Sequence, residues 1–107
     1  MNDKQYVESA RKMAERLFAE GGQSVEDRLR YAFRLATARV PTADELALLV
    51  KVYNDQLADY VADQDAALKL VSVGDAKRNE SLDVPQLAAL TMMANLILNL
   101  DEAVTKE

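Results

Sequence analysis

The stretch Asp83-Val84-Pro85-Gln86-Leu87-Ala88-Ala89-Leu90-Thr91-Met92-Met93-Ala94-Asn95-Leu96-Ile97-Leu98-Asn99-Leu100-Asp101-Glu102 leaves little choice about its folded form. Asp83 is a good N-cap, and Pro85 falls in the first turn, where a missing N–H costs nothing. Beyond them, apolar residues occupy nearly every side of the helix. Such a helix either lies at the centre of a fold or covers surface that another domain or subunit occupies. Within 107 residues there is room for one domain and one core, so this segment dominates what the rest can pack against.

The remaining segments also repeat with helical period. Asn2 or Asp3 is placed to cap a first helix, in which Tyr6, Ala10, Met13, Ala14, Leu17 and Phe18 share a face and Gly21-Gly22 ends the run. Ser24, with Asp27 three residues on, opens a second helix with Val25, Leu29, Ala32, Phe33 and Ala36 inward, before Pro41 excludes continuation. Tyr31, Leu35 and Ala38 widen its apolar stripe. Thr42-Ala43-Asp44-Glu45 is a capping box that starts a third helix carrying Leu46, Leu49, Val50, Tyr53, Leu57, Tyr60 and Val61. Asp63 caps a short fourth helix, Gln64 to Val73, with Ala67, Leu70 and Val71 inward and Gly74 at its left-handed end. The polar segment Asp75 to Leu82 is the longest loop and the expected mobile or contact-making element. The expected fold class is all-α, a single array of about five helices, orthogonal or bundle-like, over residues 1–107.

Composition narrows function mainly by exclusion. Half the residues are apolar, with three Gly and two Pro, a globular and helical balance. There is no His and no Cys, so thiolate sites, disulfides and Ser–His chemistry at Ser9, Ser24, Ser72 or Ser81 are excluded. The net charge of −5 divides unevenly: residues 1–40 carry eight Lys/Arg against six Asp/Glu, and residues 41–107 carry five against twelve. An acidic chain without a basic face is a poor phosphate binder, so no nucleic-acid partner is expected. The N-terminus lacks a signal-peptide profile and no segment reaches the ~18 apolar residues of a membrane span, so the chain as given reads as soluble and untargeted.

Several residue groups are candidate sites. Arg28, Arg30, Arg34 and Arg39 lie within twelve residues, and Arg30 with Arg34 is an i, i+4 pair able to clamp a carboxylate or phosphate; solvation or pairing with the acidic half of the chain is the favoured reading. Asp55, Asp59, Asp63 and Asp65 lack the further ligands and the Gly of a calcium loop, leaving capping and solvation. Asn95 and Asn99, one turn apart in the apolar helix, must hydrogen-bond if buried, with an internal tie to a loop backbone favoured over a ligand. Tyr6, Tyr31, Tyr53 and Tyr60 read as core or rim, and Met92-Met93 as packing rather than a metal or haem site. No catalytic or metal-binding set stands out.

One ordered set of motifs carries a family resemblance. It comprises Asn2-Asp3 with Tyr6-Val7-Glu8-Ser9-Ala10-Arg11, then Arg28 to Arg34 leading into Ala36-Thr37-Ala38-Arg39-Val40-Pro41-Thr42 with Glu45-Leu46. It continues through Gly74, Leu87-Ala88-Ala89-Leu90-Thr91 and the closing Leu98-Asn99-Leu100-Asp101-Glu102. Over essentially its whole length the chain resembles the C-terminal end of a planctomycete-type domain of unknown function that accompanies cytochrome-c-like modules in large exported proteins. It departs from that pattern at Ala38, where Gly is usual before the Arg, and at Leu90, where an aromatic residue is common.

The resemblance implies an excised C-terminal domain with Met1 added at the cut. Its parent would carry a signal peptide, other upstream domains and often haem, and would be an exported, periplasmic or envelope protein serving glycan use or electron transfer. The haem attachment motif would lie outside this chain, which has no Cys. Two functions of different class follow. One is a non-catalytic docking module that contacts upstream domains, a protein partner or a second copy through the last helix (Asn95, Leu96, Ile97, Asn99), the Asp75–Leu82 loop and the Arg28–Arg39 face, Arg30, Arg34 and Arg39 included. The other is the lid or wall of an enzyme site in the parent, with Arg30, Arg34 or Asn99 touching an anionic glycan. Docking is preferred, because intact chemistry normally leaves a nucleophile, a base or a metal constellation.

Overall fold

The computed structural model describes residues 4–74 and 77–105, with side chains at 6–74 and 77–100. Asn2, Asp3, Asp75 and the side chains of Asp101 and Glu102, all used in the expectations above, lie outside these limits. Five helices are present among the described residues: α1 (Lys4–Glu20), α2 (Val25–Thr37), α3 (Ala43–Ala62), α4 (Gln64–Val71) and α5 (Val84–Thr105).

Local chemistry sets the helix boundaries. The Ser24 hydroxyl accepts the Asp27 N–H at 3.1 Å to start α2. At α3, Thr42 Oγ1 accepts the Glu45 N–H at 3.1 Å and Glu45 Oε1 accepts the Thr42 N–H at 2.9 Å, closing the capping box. Asp63 serves two helices: its N–H donates to Asp59 O at 2.9 Å to finish α3, and its carboxylate accepts the Ala66 N–H at 3.1 Å to begin α4. Asp83 accepts the Gln86 N–H at 3.0 Å at the head of α5. α4 ends at Val71, two residues earlier than expected, with Ser72 closing it and Gly74 at φ 99°. α2 ends on Ala38 in the left-handed region at φ 61°, a non-glycine residue where glycine is sterically favoured.

The all-apolar helix is the centre of the fold: α5 packs against each of α1, α2, α3 and α4. Leu87, Ala88, Ala89, Leu90, Met93, Ala94 and Ile97 on it are essentially fully buried. Ala88, Ala89 and Ala94 keep its surface low enough for close approach, while the larger side chains fill the gaps between neighbours. Against them pack Ala14 and Leu17 of α1, Leu29, Ala32 and Phe33 of α2, Leu49 and Tyr53 of α3, and Ala67 and Val71 of α4. Each large aliphatic side chain so buried contributes about 1.5–3 kcal/mol. Four helices around a fifth account for the buried apolar side chains of α5.

Some expected inward residues point out. Tyr6 (59% exposed), Val61 (54%) and Leu35 (47%) are on the surface, as is Ala38. Tyr6 is therefore neither core nor rim, whereas Tyr53 is buried and Tyr31 and Tyr60 are half-buried. Ile97 is wholly inside, so of the proposed docking residues on α5 it has no surface to offer; Leu96 (39% exposed), Leu98 and Leu100 do.

The last loop is tied down where it can be followed. Arg11 of α1 is 1% exposed, and its Nη1 donates to Glu15 Oε2 at 3.0 Å, with Glu8 at 3.9 Å on the other side. The same Glu15 oxygen accepts the Asn79 backbone N–H at 2.7 Å. A Cβ on Gly74 would run into the Glu8 carboxyl, so glycine there lets the chain lie on α1. From Lys77 on, the segment expected to be mobile or contact-making is held to α1 through Asn79 on Glu15, the partner of the buried Arg11.

Candidate functional site

The sequence-level candidates on α2 divide once their partners are seen. Arg39 is committed to structure: its guanidinium makes two 2.8 Å hydrogen bonds to the two Glu45 carboxylate oxygens and lies 4.8 Å from the centre of the Phe33 ring. Glu45, receiving Arg39 and the Thr42 backbone N–H, has its pKa lowered to about 2. Arg28 stacks 4.6 Å from the Phe18 ring, holding α2 against α1. Arg30 pairs with Asp27, three residues back, at 2.8 Å. Arg34 is exposed and has no carboxylate within 4 Å among the described residues.

Asn99 is engaged within its own helix: its Nδ2 donates to the Asn95 carbonyl at 2.7 Å, rather than to a loop backbone. Met93 is buried in the core and Met92 half-buried beside it. Among the described residues, no three carboxylates converge as metal ligands, the Asp55–Asp65 group included. No helix among them is long and apolar enough to cross a membrane.

Arg34 stands in a depression that adjoins a wider cleft between α1 and α2, and no local sequence pattern marks that cleft. α1 and α2 run antiparallel after the tight turn at Gly21-Gly22, held by Arg28 on Phe18 and by Tyr31, whose hydroxyl donates to Glu20 at 3.2 Å. Between them lies a cleft of about 500 Å³. Met13, Leu35, Ala36 and Leu98 supply its apolar lining, and Ser9, Lys12 and Arg16 its polar side. A second depression of about 250 Å³ adjoins through Leu35 and is lined by Tyr31, Arg34 and Ala38. A third, of about 280 Å³, shares Tyr31 and Arg34 and reaches Arg30, Glu20 and Gly22.

This continuous face combines exposed apolar side chains with cations. Leu35 is 47% exposed and Leu98 41% exposed. Lys12, like Arg34, has no acidic partner within 4 Å among the described residues. Arg16 pairs with Glu20 at 3.2 Å, and that contact raises its pKa further above its ordinary value. In the sequence the face is marked by the Arg28–Arg39 cluster, with Arg30 and Arg34, and by the excess width of the α2 stripe at Tyr31, Leu35 and Ala38.

An all-α array with one long apolar and cationic face is the class these observations define. Residues 1–53, spanning α1, α2 and the first half of α3, match the family described as PSD1: Protein of unknown function (DUF1553). The chain is thus similar to a domain family of unknown function, and the matched stretch holds every lining residue named above except Leu98. No curated protein and no solved structure matches the chain.

Proposed function

We propose that this chain is a non-catalytic helical docking module that engages another protein, or another domain of a larger parent, through the α1–α2 face. The observation that carries the reading is the exposure of Leu35 and Leu98 on the lining of one cleft, beside Lys12 and Arg34, which have no acidic partner within 4 Å among the described residues. Exposed apolar area gathered in a depression is what a partner covers. The docking surface assigned from sequence to the last helix is thereby reduced to the side chains of α5 that reach the surface, with Leu98 contributing to the cleft. Placement in an exported, haem-carrying parent is part of the same proposal and rests on the motif resemblance alone.

Site-specific photo-crosslinking in source cells tests this. A benzophenone side chain placed at Leu35 is expected to give a discrete adduct, while the same group at Leu48, 61% exposed on α3, gives none. Adducts at both positions, or at neither, would remove the docking face. Arg34 also keeps the enzyme-wall reading in view, because a cation beside an apolar cleft suits an anionic glycan. Under that reading Arg34→Ala lowers the parent's activity without changing helical content.

A further inference from the structure

The cations of the α1–α2 face are arranged in two rows. Lys12 and Arg16 stand one turn apart on α1, and Arg30 and Arg34 one turn apart on α2. The apolar lining, Met13, Leu35, Ala36 and Leu98, belongs to the cleft that Lys12 and Arg16 border, and Leu35 joins it to the depression at Arg34. From Ser9 to Glu20 the α1 edge of this face is about 16 Å long at the rise of an α-helix, which accommodates three turns of a partner helix. Two of the four cations already hold carboxylates: Glu20 on Arg16 and Asp27 on Arg30. Both pairs are exposed, so exchanging their carboxylates for others costs little. The other two, Lys12 and Arg34, have positions open for a carboxylate from outside.

We propose that the α1–α2 face receives an amphipathic helix of a partner protein whose apolar stripe is flanked by Asp or Glu. The apolar stripe seats on Met13, Leu35 and Leu98, and the flanking carboxylates meet Lys12 and Arg34. This is helix-in-groove recognition, with charge selecting the partner and setting its direction. The face sits on a chain of net charge −5, so an acidic partner is attracted locally to these cations rather than to the molecule as a whole. The proposal rests on the docking reading above and adds the chemistry of the partner.

The test uses the ¹⁵N-labelled chain and a panel of synthetic amphipathic helices of about four turns. Each has Leu at i, i+3, i+4 and i+7, with flanks of either Glu or Lys. The Glu-flanked set is expected to shift the amides of Ser9, Met13, Leu35 and Leu98, and the Lys-flanked set to bind at least ~10-fold more weakly. The difference should shrink as salt rises. Leu35→Asp should abolish the shifts with the thermal melt unchanged, and Leu48→Asp should leave them intact. Equal binding by both sets, shifts on another face, self-association in place of peptide binding, or no shifts at all would overturn the proposal. A surviving Leu35 crosslink in cells beside such a result would leave the docking reading standing and remove only the acidic helix.

Discussion

Arg11 and Glu15 form an ion pair at 3.0 Å on the edge of the core, and the glutamate simultaneously holds the Asn79 N–H of the α4–α5 connection. Burial makes the arginine dependent on its carboxylate, while the shared oxygen makes the loop dependent on both. Glu15→Ala is therefore expected to lower stability by about 1–3 kcal/mol and to speed hydrogen exchange at the Asn79 amide ahead of the rest of the fold. An Asn79 amide that exchanges at the wild-type rate in the variant would show that the loop is held by something else.

Acid should act on the Arg39–Glu45 pair. Glu45 has an ordinary carboxyl pKa of 4.5 when unfolded and about 2 when folded, mainly because Arg39 donates two hydrogen bonds to it. A depressed carboxyl contributes stability that is complete above pH 4.5 and disappears as pH falls toward 2. Glu45→Gln keeps an acceptor for the Thr42 N–H and loses the charge. Its melting temperature is expected to fall less than the wild type's between pH 7 and pH 3, and parallel pH curves would contradict the assignment.

How much was legible in the sequence depended on how local each signal was. The caps at Ser24, Thr42, Asp63 and Asp83 were readable because each lies within three residues of its partner, and all four are formed. The surface residues of α5 were not readable, because a helix apolar on all sides carries no mark of its outward face; Leu96 and Ile97 look alike until four neighbours are placed around them. Arg11 escaped notice because arginine is normally a surface residue. Its place in the Val7, Arg11, Ala14, Phe18 row, with Glu8 and Glu15 three and four residues away, was the available clue. The cleft was invisible because it needs α1 and α2 antiparallel with the C-terminal part of α5 against them, a tertiary relationship no local pattern encodes.

Ala38 closes α2 with φ 61° and ψ 20°, at the position where the resembled motif has glycine. An L-residue pays about 1–2 kcal/mol for that conformation, offset partly by the greater freedom glycine has when unfolded. Ala38→Gly is expected to raise stability by about 0.5–1 kcal/mol, or roughly 2–8 °C in melting temperature. Gly74→Ala should do the reverse, since φ is 99° there and the added Cβ meets the Glu8 side chain. A thermal melt that moves both variants in the same direction would refute this account of the two turns.

Neighbouring residues on α5 should separate packing from recognition. Ile97 is fully buried among residues of several helices, so Ile97→Asp places an unpaired carboxylate in the core and is expected to abolish the cooperative melt. Leu96, 39% exposed, takes Leu96→Asp with a change within about 1 kcal/mol, because much of its side chain already meets water. Leu98→Asp should also fold and, of the two variants that fold, should alone weaken whatever binds beside Leu35, since Leu98 reaches the cleft from the central helix. Circular dichroism melts on the three variants, paired with crosslinking from Leu35, decide the matter. A folded Ile97→Asp protein would mean that α5 is not the central helix, and a Leu98→Asp protein with undiminished crosslinking would detach α5 from the docking face.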